Sequence, residues 1–303
     1  MTDKTKEINI GVVIPTKNRH EDLIRALESV RKQTYLPLEV IVVDQSATDK
    51  AHAEIKDFLK THRFIDLKYI YNPALSGLTA AKNEAVKIAA SDVLLFIDDD
   101  IVLDKNFLEV LSSVYKRYPE LSGVGGLVRL PEGKTSALRR KIALIFQVGP
   151  FRDMRAMIQA GYLGNKEIVR TWLLSGGLSS LRREVFEKIR FDDNLIGASP
   201  IEDMDFYSKA KDSFQFALAP AARALHNVSP RSRSGLKRAF ENKCLGFIFI
   251  FSQHVEKNFL NRLAFMWRNL GIFIDAIVSS VSFKTLDPVK GVFLAWKKSL
   301  SSG

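Results

Sequence analysis

Three consecutive aspartates, Asp98, Asp99 and Asp100, follow directly after the apolar run Val93–Ile97. Carboxylates this close repel one another, so a cation or several hydrogen-bond donors must offset their charge. Mg²⁺ and Mn²⁺ prefer oxygen ligands and are commonly held by one or two carboxylates together with substrate phosphates. The triplet therefore predicts a metal–diphosphate site. The structural alternative is that Asp99 or Asp100 caps a turn or the segment that follows.

A glycine-containing turn precedes that run and leads into a predicted helix. Asn72 and Gly77 lie in the turn, and Lys82 lies in the first part of the helix. Because the N–H groups at a helix start favour anions, we expect Lys82 to meet a phosphate group. A solvated helix lysine is the alternative. No G-x-x-x-x-G-K-[ST] or complete G-x-G-x-x-G motif is present, which disfavours ATPases and Rossmann dehydrogenases.

A second group of acidic residues, Glu202, Asp203 and Asp205, begins a later predicted helix. A hydroxyl that acts as a nucleophile needs a carboxylate within hydrogen-bonding reach to take its proton. We expect Asp203 to be that base and Glu202 to orient it. Acidic residues at a helix start also interact favourably with the helix macrodipole, and this is the structural alternative for the whole group.

Two further features fit the same pocket. The turn at Gly176 and Gly177 lies near Trp172, and we expect these residues on the acceptor side. His226 follows the apolar run Phe216–Ala219, where it would complete a metal or diphosphate shell at a strand end. A lone histidine is more often structural.

The elements that must position these residues read as an α/β fold. Val- and Ile-rich runs alternate with helical patterns, and near-continuous apolar strands indicate burial on both faces. We therefore predict a Rossmann-like, mostly parallel sheet sandwiched by helices, with ligands beyond the carboxyl ends of the strands. The strands are predicted at 8–14, 40–43 and 93–97 and the helices at 21–32, 49–60 and 79–90. Besides the triplet, the residues placed at the strand ends are Pro15, Thr16, Asn18, Arg19 and Asp44.

The length and composition of the chain indicate how many domains it forms. The chain has 303 residues, 46% of them hydrophobic, which is enough for one large domain and an appendage. A Ser/Pro/Arg-rich segment after residue 230 predicts a boundary between a catalytic domain, 1–230, and a helical C-terminal region, 231–303. The single cysteine and the absence of an apolar leader predict a reducing, cytoplasmic location.

The C-terminal region carries twelve Lys/Arg against four Asp/Glu, and it contributes most of the net charge of +11. Its longest uncharged stretch, Cys244–Val255, is shorter than the roughly 18 residues that a membrane-spanning helix needs. Basic amphipathic helices with Trp and Phe predict contact with an anionic membrane surface. Packing on the catalytic domain, or homo-oligomer formation through these helices, is the alternative. Bulky apolar runs between the charges disfavour a nucleic-acid partner.

Taken together, the motifs resemble the family 2 glycosyltransferases in order and spacing over about residues 8–230. The resemblance implies a GT-A fold and transfer of a sugar with inversion from a nucleotide-diphosphate sugar, with Mg²⁺ or Mn²⁺ and without a covalent intermediate. The segments that carry it are Val13–Arg19, Val43-Asp44, Asn72–Asn83, Phe96–Asp100, Ser175–Gly177, Glu202-Asp203 and His226.

By position, the resemblance implies contacts of Thr16 and Asp44 with the nucleotide base. It implies that Asp98 contacts the ribose or the metal, that Asp100 contacts the metal and that Asp203 is the base. A loop carrying Arg231 and Arg233 would cover the donor, and His226 would lie near the diphosphate. This chain departs from the pattern at Lys82, where arginine is frequent. It also lacks the Gln-x-x-Arg-Trp motif of processive synthases, so we expect one sugar per encounter.

The acceptor that this interpretation favours is a glycan or a lipid-linked glycan of polysaccharide or cell-envelope synthesis. The enzyme would then work in the cytoplasm or peripherally on the inner face of the cell membrane. Two other functions stay open at this point. One is a catalytically silent nucleotide-sugar or lipid-binding protein, and the other is a sugar-phosphate nucleotidyltransferase that releases pyrophosphate.

Overall fold

The fold was obtained as a computed structural model, which describes residues 7–47, 49–61, 66–129, 143–159, 167–195, 201–227 and 235–301. The strands are β1 (Ile10–Thr16), β2 (Glu39–Asp44), β3 (Leu67–Tyr71), β4 (Val93–Ile97), β5 (Ile101–Leu103), β6 (Gly123–Arg129), β7 (Val169–Thr171), β8 (Leu178–Arg182) and β9 (Phe216–His226). The helices are α1 (His20–Arg31), α2 (Asp49–Thr61), α3 (Leu78–Ile88), α4 (Phe107–Arg117), α5 (Met154–Gln159), α6 (Glu184–Lys188), α7 (Ile201–Ala210), α8 (Leu236–His254), α9 (Phe259–Phe283) and α10 (Asp287–Ser301).

One sheet organises the first part of the chain. Its strand order is β3-β2-β1-β4-β8-β6-β9-β5, and β7 pairs with β9. Neighbours from β3 to β4 are parallel, whereas β8 runs antiparallel to both β4 and β6. The predicted α/β fold with a mostly parallel sheet is confirmed. The parallel half brings the carboxyl ends of β1, β2 and β4 to one edge.

Helices cover both faces of this sheet. Val12 and Ile14 of β1 pack in one hydrophobic cluster with α1 and α4, whereas Val13 between them packs in another with α3 and α7. Side chains alternate between the faces of a strand, so burial of all seven β1 residues requires cover on both sides. This explains why the strands read as continuous apolar runs.

The main differences from the predicted boundaries lie at strand and helix ends. β1 continues to Thr16 because Pro15 and Thr16 pair with Val43 and Asp44 of β2. α3 ends at Ile88, and an extended Ala89 follows it. Thr16 and Asp44 therefore end adjacent strands, side by side at the edge where the site lies.

The three C-terminal helices pack on one another and on the part of the chain that contains the sheet. Phe240 and Cys244 of α8 share a cluster with Ile272 of α9 and Val292 of α10. Ile250 of α8 is also fully buried in the cluster on one face of the sheet. The predicted boundary at 230/231 lies outside the described residues, and the division into two domains stays a prediction.

α9 is the one helix among the described residues that is long and apolar enough to cross a membrane, and 44% of its most apolar window is buried within the protein. The longest uncharged stretch of the C-terminal region does not lie in α9, because Arg262, Arg268 and Asp275 divide the apolar residues of this helix into shorter runs. Arg268 is buried, and Asp275 pairs with Lys243. Two of these three charges thus face the protein, and the outer face keeps its apolar residues.

Candidate active site

The aspartate triplet lies in the turn between β4 and β5, and its three side chains have different surroundings. Asp99 is buried, and its Oδ2 accepts a hydrogen bond of 2.7 Å from the Thr16 hydroxyl. Its Oδ1 lies 2.8 Å from Nη1 of Arg19. Burial raises the pKa of Asp99 to about 7, against the opposing effects of Arg19 and Thr16. Asp99 thus ties the end of β1 to the end of β4, and its predicted contact with the donor stays a prediction.

Asp100 lies between two basic side chains. Its Oδ2 is 3.6 Å from Nη1 of Arg19, and its Oδ1 is 3.2 Å from Nε2 of His226. Antiparallel pairing of Ile101 with His226 brings the end of β9 to the triplet. The hydrogen bond with Asp100 raises the pKa of His226. The structure therefore brings His226 to the predicted metal site, where its ring pairs with a carboxylate.

Asp98 faces the turn that carries Gly177. A Cβ atom on Gly177 would lie 2.1 Å from Oδ2 of Asp98, so this approach requires glycine. Burial raises the pKa of Asp98, Lys82 opposes this shift, and Asp100 adds to it. A cation between the two carboxylates would offset both the burial and the repulsion.

The donor set of Asp98 and Asp100 fits a hard divalent ion that takes its other ligands from substrate phosphates and water. Within the described ranges, no group of three His, Cys, Asp or Glu side chains is arranged to hold a metal ion by protein ligands alone. Such a site would therefore depend on the donor diphosphate to complete the coordination shell.

Asp203 lies at the start of α7, close enough to Asp98 for the two carboxylates to act on each other electrostatically. Its Oδ2 accepts a hydrogen bond of 2.7 Å from the Gly176 backbone N–H. A Cβ atom on Gly176 would lie 1.6 Å from Oδ1 of Asp203, so the sharp approach again requires glycine. Oδ1 is buried and has no hydrogen-bond partner among the described residues. The backbone thus holds one carboxylate oxygen of Asp203, and the role of Asp203 as the base stays a prediction.

Lys82 links the two acidic groups. Its side chain is 1% exposed, and its Nζ lies 3.4 Å from Oε1 of Glu202 and 3.8 Å from Oδ1 of Asp203. Burial disfavours the charged ammonium, but the carboxylates of Asp203, Glu202 and Asp98 outweigh it and raise the pKa of Lys82. Burial raises the pKa of Glu202 to about 7. Lys82 is therefore not a solvated helix lysine but the counter-ion of the acid pair.

On the side of β2, Asp44 is fully buried and both of its oxygens are engaged. Oδ1 accepts a hydrogen bond of 2.8 Å from the Ser46 N–H, and Oδ2 accepts one of 2.5 Å from the Tyr69 hydroxyl. Asn18 has a left-handed backbone, with φ of 58°, and its N–H donates to the Ser46 hydroxyl. These bonds fix the loops that follow β1 and β2 at the predicted nucleotide side.

Hydrogen bonds to the end of β2 and to the residue after it also hold the turn before α3. Gln45 donates from Nε2 to the carbonyl oxygens of Leu75 and Gly77, at 3.0 and 2.9 Å. The N–H of Asn72 donates to the carbonyl of Asp44, and Gly77 has a positive φ of 95°. The site residues predicted from the sequence did not include Tyr69 or Gln45. Gln45 directly follows Asp44, whereas no local pattern marks Tyr69.

Not every predicted residue joins these groups. Trp172 is partly buried and packs against the hydrophobic cluster on one face of the sheet. Pro15 lies within β1 and is buried in the sheet. Arg231 and Arg233, predicted to cover the donor, lie outside the described residues. Their role and that of Trp172 stay predictions.

Most of the residues that form this site lie in a region of the chain that matches a known protein family. The model of the family described as Glycosyl transferase family 2 matches residues 11–190, which is more than half of the chain. This chain belongs to glycosyl transferase family 2. The matched region of this family 2 chain contains the β1 and β2 ends, the aspartate triplet and the Gly176-Gly177 turn. The resemblance found from the motifs is confirmed.

Individual relatives support the same family. The chain is 25% identical over 248 residues to the amylovoran biosynthesis glycosyltransferase AmsB of Erwinia amylovora, covering 78% of this chain and 75% of that protein. It is 30% identical over 139 residues to a Methanococcus voltae dolichyl N-acetyl-α-D-glucosaminyl phosphate 3-β-D-2,3-diacetamido-2,3-dideoxy-β-D-glucuronosyltransferase. That match covers 44% of this chain and 43% of the relative, so the chain spans less than half of that protein's length.

A solved structure confirms the GT-A fold. The mannosyltransferase PcManGT from Pyrobaculum calidifontis, in complex with GDP-Man and Mn²⁺, superposes with a TM-score of 0.61 at 18% sequence identity. The match covers 99% of this family 2 chain and 82% of the mannosyltransferase. At this identity the likeness shows a shared fold, and it includes the region of the C-terminal helices.

Proposed function

We propose that this chain is a metal-dependent, inverting glycosyltransferase that moves one sugar from a nucleotide-diphosphate sugar to an acceptor hydroxyl. The observation that carries this proposal is the placement of Asp203. Its Oδ2 is held by the Gly176 N–H, and its Oδ1 has no hydrogen-bond partner among the described residues. Through Lys82 it shares one charge network with Asp98 of the triplet. A general base and a diphosphate site would then lie on opposite sides of one reacting sugar.

The reaction that this arrangement supports is a single displacement. The acceptor oxygen forms a bond to the sugar C1 while the bond from C1 to the diphosphate oxygen breaks. The hydroxyl proton passes to Oδ1 of Asp203, and the electron pair of the broken bond leaves with the nucleoside diphosphate. Attack on the face opposite the leaving group inverts the configuration at C1. The Lys82 ammonium favours the charged form of the Glu202 carboxylate next to this base.

On the donor side, Asp98 and Asp100 would hold Mg²⁺ or Mn²⁺. The ion would offset the negative charge that develops on the diphosphate leaving group. Arg19 and His226, which flank Asp100, would add positive charge near the phosphates. Thr16 and Asp44 end adjacent strands, and we assign the nucleotide base of the donor to a position next to these two residues. The Mn²⁺ and GDP-Man bound by the Pyrobaculum enzyme support a divalent ion and a nucleotide-sugar donor for this chain.

For the acceptor, we propose a glycan or lipid-linked glycan of polysaccharide or cell-envelope synthesis. The amylovoran and dolichyl phosphate enzymes named above support this class. A lipid-linked acceptor would require work at the inner face of the cell membrane.

The outer face of α9 supports membrane contact. It carries exposed apolar side chains, of which Leu260 and Val281 are 73% and 75% exposed. A groove of about 910 Å³ on the same helix is lined by residues that include Leu263, Met266 and Trp267. Exposed apolar surface of this extent marks contact with a membrane or a protein. A second copy of this chain is the other occupant that an experiment must distinguish.

The test combines product analysis with one substitution. With Mn²⁺, a panel of nucleotide sugars and an acceptor extract, wild type should release a nucleoside diphosphate, and a chelator should stop the release. Asp203→Asn should reduce transfer by about a hundredfold or more, because a general base contributes roughly 10²–10⁴-fold. Its affinity for the donor should stay near that of wild type. Asp212→Asn, an exposed aspartate just after α7, is the matched control.

Other outcomes point to other functions. Release of pyrophosphate would identify a nucleotidyltransferase. Donor binding without turnover on any acceptor would identify a binding protein. Full transfer by Asp203→Asn would remove Asp203 from the role of base.

A further inference from the structure

A cavity of about 370 Å³ lies between α7 and the C-terminal helices, directly beside Asp203. Its wall includes Met204 of α7, Lys243 and Phe247 of α8, and Arg268 of α9. Pockets that bind small molecules typically have volumes of about 300 Å³ or more, so a sugar with one charged substituent fits this cavity. The cavity therefore joins the proposed base to a part of the chain that lies outside the family match at 11–190.

Arg268 is the unusual residue of this wall. Its side chain is only 9% exposed, and its guanidinium carbon lies 4.3 Å from the centre of the Phe247 ring. Its buried Nε has no hydrogen-bond partner among the described residues. A buried donor without a partner costs free energy, and the cost is larger for a charged group. Because Arg268 lines the cavity, an anion bound there would offset the cost of burying its charge.

The charges around the cavity favour an anionic ligand group. The wall carries two cations, Lys243 and Arg268, and one carboxylate, Asp203. Nζ of Lys243 lies 2.9 Å from Oδ2 of Asp275, and Asp153 and Asp275 act electrostatically on Arg268 from outside the wall. These two carboxylates offset part of the cost of burying the Arg268 charge. Asp203 in turn has Lys82 on its other side.

We propose that this cavity is an acceptor subsite in which Arg268 and Lys243 bind an oxyanion, phosphate or carboxylate, that the acceptor carries next to the hydroxyl that Asp203 deprotonates. A guanidinium and an ammonium offer charge-assisted hydrogen bonds to either oxyanion. Leu173, Met204 and Phe247 supply apolar contact for the rest of the acceptor. This inference rests on the proposed function, because it names the acceptor class for the same site.

The test measures binding to the full chain by calorimetry with three short-chain probes. They are an alkyl N-acetyl-α-glucosaminyl phosphate, an alkyl glucuronide and a neutral alkyl N-acetyl-α-glucosaminide. We expect wild type to bind at least one anionic probe about ten- to hundredfold more tightly than the neutral one, as hydrogen bonds to charged groups predict. Preference for the phosphate or for the glucuronide identifies the source of the oxyanion.

Arg268→Gln and Lys243→Gln should each reduce this charge preference about tenfold. Arg268 is buried, so its variant could fold incorrectly. Lys243→Gln tests the same subsite at a less buried residue, and circular dichroism measures whether both variants keep the fold. Arg238→Gln, an exposed arginine on α8 outside the cavity wall, should keep the preference. The ratio of affinities is informative because a merely structural role would change the binding of all probes alike.

Equal affinity of wild type for the three probes, or no measurable binding of any, would overturn the inference. Inorganic phosphate that binds as tightly as the glycosyl phosphate would also overturn it, since the site would then not recognise an acceptor. Failure of the proposed function gives a different result, namely charge-selective binding without release of a nucleoside diphosphate in the transfer assay.

Discussion

Oδ2 of Asp203 accepts a 2.7 Å hydrogen bond from the backbone N–H of Gly176, and a Cβ atom on that glycine would lie 1.6 Å from the other carboxylate oxygen. The position of the proposed base is therefore set by the absence of a side chain 27 residues earlier in the sequence. The same turn contacts the triplet through its next residue, Gly177. One glycine pair thus positions both sides of the site.

Gly176→Ala should displace Asp203 and reduce transfer by about a hundredfold, since a misplacement near 1 Å can cost this much. Steady-state kinetics with saturating donor measures the loss in kcat. Gly235→Ala is the matched control, because its Cβ would have no described atom within 4 Å. Wild-type kcat in the Gly176 variant would show that the carboxylate is not held by this contact.

Gly177→Ala should act on the metal instead. Its Cβ would lie 2.1 Å from Oδ2 of Asp98 and would displace that carboxylate from its position in the predicted metal site. We expect the Mn²⁺ concentration for half-maximal activity to rise about ten- to hundredfold, as for other changes in groups that support metal ligands. Titration of transfer with Mn²⁺ measures the shift. An unchanged metal requirement together with a lowered kcat would contradict this assignment.

Lys82→Met should change the pH dependence. Lys82 opposes the rise in the pKa of Glu202 that burial causes, so its loss raises that pKa further. The Glu202 carboxylate is then ionised only at higher pH. Because we expect Glu202 to orient the base, the acidic limb of the kcat/KM profile should move upward by about one to three pH units. Lys87→Met, which removes an exposed lysine from the same helix, should leave the profile in place. A downward movement, or none, would show that Lys82 does not serve the acid pair.

Leu260→Ser combined with Val281→Ser should weaken binding to vesicles that contain anionic lipid. Both side chains are exposed on α9, and burial of two aliphatic side chains contributes enough for a loss of about tenfold or more. Vesicle co-sedimentation measures the effect, with Leu36→Ser, an exposed leucine remote in sequence, as control. If light scattering instead shows that the double variant turns a dimer into a monomer, the face is an interface between copies.

The sequence alone predicted part of the local structure, namely the strands β1, β2 and β4 and the helices α1, α2 and α3. β4 was predicted at its observed bounds because Val93–Ile97 is an uninterrupted apolar run between polar residues. α1 was displaced by only one residue at each end, since Leu23, Leu27 and Val30 mark its buried face. Polar residues that directly follow buried strands identified Thr16, Asp44 and the triplet, because the ends of parallel strands meet at one edge.

Only the tertiary structure decided what each of these side chains contacts. Three adjacent aspartates are equivalent in sequence, yet Asp99 bonds to Thr16 and Arg19 while Asp98 faces Gly177. Turn geometry directs each carboxylate differently, and a composition pattern does not contain that geometry. The partner of Asp44, Tyr69, lies 25 residues away and is positioned by the pairing of β2 with β3.

The same contrast holds for the C-terminal helices. Their basic and apolar composition was evident, and it predicted helices with a surface role. Which charges of α9 face inward depends on its packing against α8 and the rest of the chain, and this packing buries Arg268 in the wall of a cavity that Asp203 also lines. The sequence determined that the helix is amphipathic. Because the rotation and docking of a helix depend on long-range contacts, only the fold decided that one of its arginines lines a cavity next to the proposed base.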